Sequence, residues 1–189
     1  MTARHDLQRP TARGFTLVEL MIVVTIVGVL ATLAVVGVRR YIAHSKKGEA
    51  IEIIGAIKAG EESYKDETFM YYSPSSALDQ YYPKSPAYGQ YKVEWGLKDG
   101  INDNNNWARL GIKVAGPVLF GYSCVAGGST EEIPSPGSDI SVPGWPPDYA
   151  KGQPWYVVKA VADLQKGGPR TVFVSANFTT QIFSANEGE

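Results

Sequence analysis

One segment limits the possible folds of this chain more than any other, an apolar run of 24 residues from Phe15 to Val38. Its sequence is FTLVELMIVVTIVGVLATLAVVGV, and Glu19 is its only charged residue. A transmembrane helix needs about 20 predominantly apolar residues, so this run is long enough to cross a bilayer once. The sequence after it is polar and holds no second run of this kind. A single-span protein with a hydrophilic C-terminal part is therefore predicted.

The residues that flank the run give a weak preference for orientation. Arg4, Arg9 and Arg13 precede it, and four basic residues follow it between positions 39 and 47. Because a basic N-terminal flank stays in the cytoplasm, the N-terminus is expected inside and the C-terminal part outside. A plain membrane anchor and a secretory signal are the alternatives. The run exceeds the usual 7–15 apolar residues of a signal, which disfavours the second.

The start of the run carries a specific motif. Arg13 to Glu19 read RGFTLVE, followed by LMIVVTIVGVLATLA. This arrangement resembles the class III leader of type IV prepilins and pseudopilins. In that family a short basic leader ends in Gly, and Phe follows it at the start of an apolar helix with Glu at the fifth position. The later stretch, with Gly28, is similar to the family's helix, and the resemblance extends to about Ser45.

The resemblance implies processing and a set of partners. A membrane-embedded prepilin peptidase would cut between Gly14 and Phe15 and would N-methylate the new amino terminus of Phe15. The mature chain would then have 175 residues. The absence of a side chain at Gly14 lets a protease approach the backbone closely. Other pilin subunits and an inner-membrane assembly platform with its ATPase are the further partners implied.

Glu19 is the candidate residue for filament assembly. It lies four residues after Phe15, about 6 Å along a helix. A carboxylate in the bilayer is costly unless it is paired, and such residues are usually functional. The expected partner is the ammonium of Phe15 on a neighbouring subunit, which would fix the axial stagger of the filament. Alternatively, Glu19 lies near the membrane edge and extends its carboxylate to water.

One position departs from the family pattern. Many members carry a proline near the twenty-second mature position, which is Val36 here, and no proline occurs between Pro10 and Pro74. Since a proline would kink the helix, this helix is expected to be straighter. Gly28 is a candidate helix-packing residue and a weaker point of flexibility. The departure fits a minor pilin or pseudopilin better than a major pilin.

The helix is expected to continue beyond the membrane to about Thr68. Ala50, Ile54, Ile57 and Tyr64 recur at the spacing of one helical face, so Ile54 and Ile57 are predicted to pack on a sheet. The predicted organisation is a leader peptide at 1–14, a transmembrane and filament-core helix at 15–38, its amphipathic continuation at 39–68, and an exported β-sheet domain at 69–189.

The C-terminal part predicts a small antiparallel sheet, and hence an α+β, pilin-like fold with the long helix packed on it. A tyrosine-rich stretch at 70–89 and a Pro-, Gly- and Ser-rich stretch at 127–154 are predicted to be long loops, the second of them at the surface. The tyrosines form either a subunit-contact surface or a pin that holds the loop to its own domain. The strand-like runs are 91–95, 108–114, 119–125, 155–161, 171–175 and 178–183.

The composition disfavours catalysis and dedicated ligands. No P-loop, GxSxG, HExxH or CxxC motif occurs, so no enzyme activity, cofactor or metal site is predicted. With 18 Lys+Arg against 19 Asp+Glu, nucleic acid is an unlikely dedicated ligand. Cys124 is the single cysteine, which excludes an intrachain disulfide, and it is expected to be a buried thiol. The oxygen-rich stretch Asp99–Asn106 is either a plain turn, which is favoured, or a calcium loop.

These features predict a structural subunit of a type IV pilus-like filament, in adhesion, motility or DNA uptake. The chain would be inserted in the bacterial inner membrane as a single-pass, N-in protein. It would then become part of a periplasm-spanning or extracellular filament. A type II secretion pseudopilin is the alternative within the family. A membrane-anchored binding domain that never polymerises is the alternative of a different class, and Glu19 argues against it.

Overall fold

The computed structural model describes residues 14–84, 89, 91–96, 103–164 and 167–187. The chain forms two compact units, Met1–Ile42 and Ala43–Glu189. The elements are helix α1 (Leu17–Thr68), helix α2 (Asp103–Ala108), strand β1 (Gly121–Gly127), a 3-10 turn (Asp148–Ala150), and strands β2 (Trp155–Ala162), β3 (Thr171–Ala176) and β4 (Phe183–Ala185).

In the first unit, α1 is apolar around its whole circumference. The span Leu17–Val38 has a mean hydropathy of 2.7, and none of it is buried inside the chain. By length and composition this part of α1 could cross a membrane. A helix that is hydrophobic on every side needs lipid or other protein around it. In water, a single copy of the chain would therefore leave the apolar surface of the first unit exposed to solvent.

The second unit contains a four-stranded antiparallel sheet in the order β1-β2-β3-β4. Cys124 of β1 pairs with Val158 of β2, which pairs in turn with Ser175 of β3. Every residue of β2 is buried. Because successive side chains of a strand point to opposite faces, β2 needs an apolar cover on both sides of the sheet.

The second part of α1 covers one face of the sheet. Ala50, Ile54 and Ile57 are completely buried, in one cluster with Val158 of β2 and Phe173 of β3. The i, i+4, i+7 pattern therefore identified the helix face that contacts the sheet. The predicted α+β, pilin-like fold, a long N-terminal helix with a small antiparallel sheet, is confirmed.

The segment between β1 and β2 covers the opposite face. Its residues Ile133 and Ile140 are buried in a cluster with Val157 of β2 and Val174 of β3. The prediction of a surface loop at 127–154 is wrong in this respect, because the segment is a layer of the fold. The composition of the segment gave no sign of this role. Its few apolar residues are spread along a Pro- and Gly-rich stretch and follow neither the helix nor the strand spacing.

Three of the six predicted strands are wrong. Residues 91–95 contribute only an isolated bridge between Val93 and Val118. Residues 108–114 are the end of α2 and a turn, and residues 178–182 precede a short β4. The alternating Leu110, Ile112 and Val114 pack against the core without forming a strand, and Leu110, which is buried, also packs against Gly60 of α1. The carbonyl oxygen of Leu110 would lie 2.6 Å from a Cβ at position 60, so this crossing requires glycine.

The described part of the tyrosine-rich segment is pinned to its own domain, which favours the second of the two predicted roles, whereas Tyr88 lies outside the described residues. The ring of Tyr71 lies 4.8 Å from that of Tyr156, and the ring of Tyr72 lies 5.2 Å from that of Tyr64. Tyr82 is 3% exposed and exchanges two backbone hydrogen bonds with β1, at 2.7 and 2.8 Å. The segment therefore covers part of the outer edge of β1.

Two lysines of α1 fasten the C-terminal part of the chain. Lys58 Nζ donates to Ser175 Oγ at 3.0 Å, to Ala176 O at 2.9 Å and to Thr179 O at 2.7 Å. Lys47 Nζ forms an ion pair with Glu187 at 2.5 Å. The turn after β3 and the end of the described chain are thus held to α1 by ammonium groups.

Candidate processing and assembly site

The predicted cleavage site precedes the first helical residue, Leu17, and is open to solvent. Phe15 is 85% exposed, and Gly14 is also exposed. A Cβ placed on Gly14 would meet no atom of the described chain within 4 Å. The described part of the fold therefore leaves room for a larger residue at this position.

Thr16 and Glu19 form a reciprocal cap at the start of α1. Glu19 Oε2 accepts hydrogen bonds from Thr16 N at 2.9 Å and from Thr16 Oγ1 at 2.8 Å. Glu19 N donates to Thr16 Oγ1 at 3.2 Å. This is the capping box, in which a Thr and a Glu three residues apart satisfy backbone N–H groups that the first helical turn leaves unpaired.

Sequence reasoning missed Thr16, although the T-x-x-E pattern was a usable signal. Both bonds from Thr16 go to Oε2, and Oε1 of Glu19 accepts no hydrogen bond from the described residues. The cap places the carboxylate beside the N-terminal residues, one position from Phe15. Glu19 therefore contacts the residue that directly follows the predicted new amino terminus.

The predicted helix-packing residues lie in two different environments. A Cβ at Gly28 would meet no neighbour within 4 Å in the described chain, so this residue has an open helix surface around it. Ile54 and Ile57 are fully buried against the sheet and belong to the core of the second unit. Their packing role is internal to one chain.

A buried polar cluster in the second unit was not foreseen. Glu61 is completely buried, and its Oε2 accepts a hydrogen bond from Tyr72 N at 2.9 Å. Cys124 Sγ lies 3.2 Å from Glu61 Oε1. Burial raises the pKa of Glu61 to about 7. Glu61 falls four positions after Ile57, on the same helical face, so the helix period could have placed it in the core.

Cys124 is a buried free thiol, as expected from its apolar strand. Burial, and then the carboxyl of Glu61, raise the pKa of the Cys124 thiol well above its ordinary value. The sulfur therefore stays protonated and acts as a hydrogen-bond donor rather than as a nucleophile.

The oxygen-rich stretch 99–106 is divided between described and undescribed residues. Residues 99–102 lie outside the described part, and 103–108 form α2. The Asn106 side chain accepts from Tyr72 Oη at 3.3 Å and donates to Pro74 O at 3.5 Å. In the part of the chain that the structure describes, no cluster of His, Cys, Asp or Glu suits a metal ion.

Comparison with known proteins places the site in a family. The family described as "Prokaryotic N-terminal methylation motif" matches residues 9–35. The chain is 31% identical over 127 residues to the type IV major pilin protein PilA of Myxococcus xanthus, covering 67% of this chain and 56% of that protein. It is 33% identical over 89 residues to the type IV major pilin protein PilE1 of Neisseria gonorrhoeae, covering 47% and 54%.

A shorter match, 45% identical over 56 residues, relates the chain to the fimbrial protein EcpC of Eikenella corrodens, covering 29% of this chain and 37% of that protein. The chain thus spans between about a third and just over half of the length of these relatives. No solved structure matches it significantly. The motif and the similarity to these relatives together support the type IV pilin family for this chain. Similarity to structural subunits agrees with the prediction that it is not an enzyme.

Proposed function

We propose that this chain is a structural subunit of a type IV pilus-like filament. Prepilin peptidase processes it between Gly14 and Phe15, and an inner-membrane assembly platform with its ATPase moves it into the filament. The observation that carries the proposal is the fully exposed apolar part of α1, Leu17–Val38, directly behind an accessible Gly14–Phe15 bond. Such a surface is stable in lipid before assembly and in a bundle of like helices afterwards.

Processing creates the partner that Glu19 needs. Cleavage before Phe15 releases an ammonium next to Thr16, whose N–H and hydroxyl already contact Glu19 Oε2. Oε1 remains to accept a bond from the ammonium of a neighbouring subunit. A paired carboxylate is far less costly in an apolar environment than an isolated one, so the pair favours transfer from lipid into the filament. The cap holds the carboxylate in place for that contact.

The proposed orientation rests on the basic residues before the apolar run. The leader, with Arg4, Arg9 and Arg13, stays in the cytoplasm, and the second unit is exported. In the filament the apolar part of α1 would form the core, and the sheet would face outward. The role as major pilin, minor pilin or secretion pseudopilin depends on abundance and on the phenotype of a deletion strain.

The proposal is tested by the intact mass and the N-terminal fragment spectrum of the chain. The chain is isolated separately from sheared surface filaments and from membranes. We expect a filament fraction that begins at N-methylated Phe15. Its amount distinguishes a major from a minor subunit, and a processed chain confined to membranes favours a pseudopilin. An uncut chain that begins at Met1 in both fractions would contradict the proposal and favour a membrane-anchored domain that does not polymerise.

A further inference from the structure

The buried carboxyl of Glu61 joins three elements of the second unit and has no cation beside it. Its own helix is α1, and its hydrogen bonds reach Tyr72 N in the segment after α1 and Cys124 Sγ in β1. None of the salt bridges among the described residues includes it. A glutamate is almost never fully buried unless it is paired, so its position in this core calls for an explanation.

The groups around Glu61 supply no counter-charge. The titratable groups that face it are Glu62 on α1, the Cys124 thiol on β1, the Tyr156 hydroxyl on β2 and the hydroxyls of Tyr71 and Tyr72 after α1. The cations of this region have other partners. Lys58 bonds to the turn after β3, and Lys65 Nζ donates to Tyr71 Oη at 2.9 Å. Arg109 lies over the Tyr72 ring, 5.5 Å from its centre.

The segment after α1 is the element most easily displaced from Glu61. Residues 71–76, here called the edge segment, contain neither helix nor strand. Ser75 N donates to Cys124 O at 3.0 Å, and Cys124 N donates to Ser75 Oγ at 3.3 Å. Ala126 N donates to Ser73 Oγ at 3.2 Å. Because α1 and β1 are held by regular helix and sheet bonds, local opening costs less in the edge segment.

We propose that ionisation of Glu61 releases the edge segment from β1, so that this segment is a pH-sensitive cover of the strand. Water that enters beneath the displaced segment restores the hydration that the carboxylate loses by burial. Tyr72 N and Cys124 Sγ also stabilise the charged form, but burial has the larger effect on the pKa of Glu61. Release leaves backbone groups of β1 unpaired, and such an edge can pair with another strand. The inference does not depend on the proposed filament function.

The pH range of the release follows from the pKa of Glu61 in the two states. In the closed state burial raises this pKa to about 7, and in the open state it returns to its ordinary value of 4.5. The segment is therefore held most firmly below pH 4.5 and opens more often as the pH rises toward 7. Between pH 6 and pH 8 the equilibrium constant for opening should increase about tenfold.

The thiol of Cys124 can report this opening, because it is completely buried and contacts Glu61. It is the only cysteine of the chain. The full chain in detergent micelles is labelled with a maleimide between pH 6 and pH 8. Each rate is divided by the rate for the urea-unfolded chain at the same pH, which removes the ordinary ionisation of the thiol.

We expect the corrected labelling rate of the wild type to rise about tenfold over this range, and that of Glu61→Gln to stay constant. The matched control is Glu67→Gln, because Glu67 is exposed on the same helix; its rate should rise as in the wild type. A constant corrected rate in the wild type, or an equal rise in Glu61→Gln, overturns the inference. Where Glu61→Gln does not fold, the wild-type rates and the measurements below decide.

Urea and hydrogen exchange separate release of the edge segment from unfolding of the whole unit. Local opening exposes little surface, so the labelling rate should depend only weakly on low urea concentrations. A urea dependence as steep as that of complete unfolding overturns the inference. Peptide-resolved hydrogen exchange should show that protection falls with pH in residues 71–76 but not in β2. Protection of residues 71–76 that does not change with pH also overturns it.

Discussion

The buried carboxyl of Glu61 makes the stability of the second unit depend on pH. Burial raises its pKa from 4.5 to about 7 in the folded state. Between these values the folded chain keeps the proton and the unfolded chain has lost it. The contribution of Glu61 to the free energy of unfolding is therefore fully present below pH 4.5. It is lost as the pH rises toward 7. Each pKa unit corresponds to about 1.4 kcal/mol, so the full loss is about 3 kcal/mol.

The substitution Glu61→Gln isolates this effect, since glutamine resembles the protonated carboxyl. Its carbonyl can accept from Tyr72 N, and its amide can donate to the Cys124 sulfur, which keeps the two residues in contact with the direction of that hydrogen bond reversed. We expect the variant to match the wild type at pH 4 within about 1 kcal/mol. At pH 8 it should be more stable by about 3 kcal/mol, which raises Tm by about 6–12 °C for a unit of this size.

The assay is thermal unfolding of the full chain in detergent micelles, followed by near-ultraviolet circular dichroism at several pH values from 4 to 8. All four tryptophans lie in the second unit and report on its packing. The matched control is Glu67→Gln, because Glu67 lies on the same helix and is exposed; its Tm should change little at any pH. A difference between Glu61→Gln and wild type that stays constant from pH 4 to pH 8 would refute the reasoning.

Three further predictions concern α1 and the residues before it. Glu19→Ala should insert and be cleaved but enter filaments poorly, and an unchanged ratio of filament to membrane chain would reject the ion pair with the amino terminus. Gly14→Ala should be cut slowly and Gly14→Leu not at all, so a normal mature mass for the leucine variant would reject the cleavage site. Gly60→Ala should cost about 1–3 kcal/mol, because its Cβ would overlap the Leu110 carbonyl oxygen; an unchanged Tm would contradict this.

The features that could be predicted from the sequence are those that a local pattern indicates, either a periodic spacing of apolar residues or a short motif. The apolar run before Val38 and the face formed by Ala50, Ile54 and Ile57 depend only on helix geometry, so both were recognisable. The strands β2 and β3 are short runs rich in β-branched and aromatic residues, and their predicted bounds agree with the observed ones within one residue. The T-x-x-E pattern that positions Glu19 is an equally local signal.

The remaining features depend on contacts between distant parts of the chain. Leu110 lies in a turn whose backbone closely approaches Gly60, 50 positions earlier in the chain, and the local sequence carries no sign of that contact. The second cover of the sheet comes from a Pro- and Gly-rich segment whose buried residues, such as Ile133 and Ile140, have no regular spacing. No local pattern distinguishes such a layer from a solvated loop.

The fastening of the C-terminal part by Lys47 and Lys58 bears on how a newly made subunit matures. With one cysteine in the chain, no oxidant or disulfide isomerase is needed to join the last strands to the helix. The contacts that hold the C-terminal part to α1 are a partly exposed ion pair of Lys47 and three hydrogen bonds from the Lys58 ammonium. These contacts form as the polypeptide packs. A store of subunits in the membrane would therefore be insensitive to the redox state of the cell envelope, whereas added salt would weaken the ion pair at its C-terminal end.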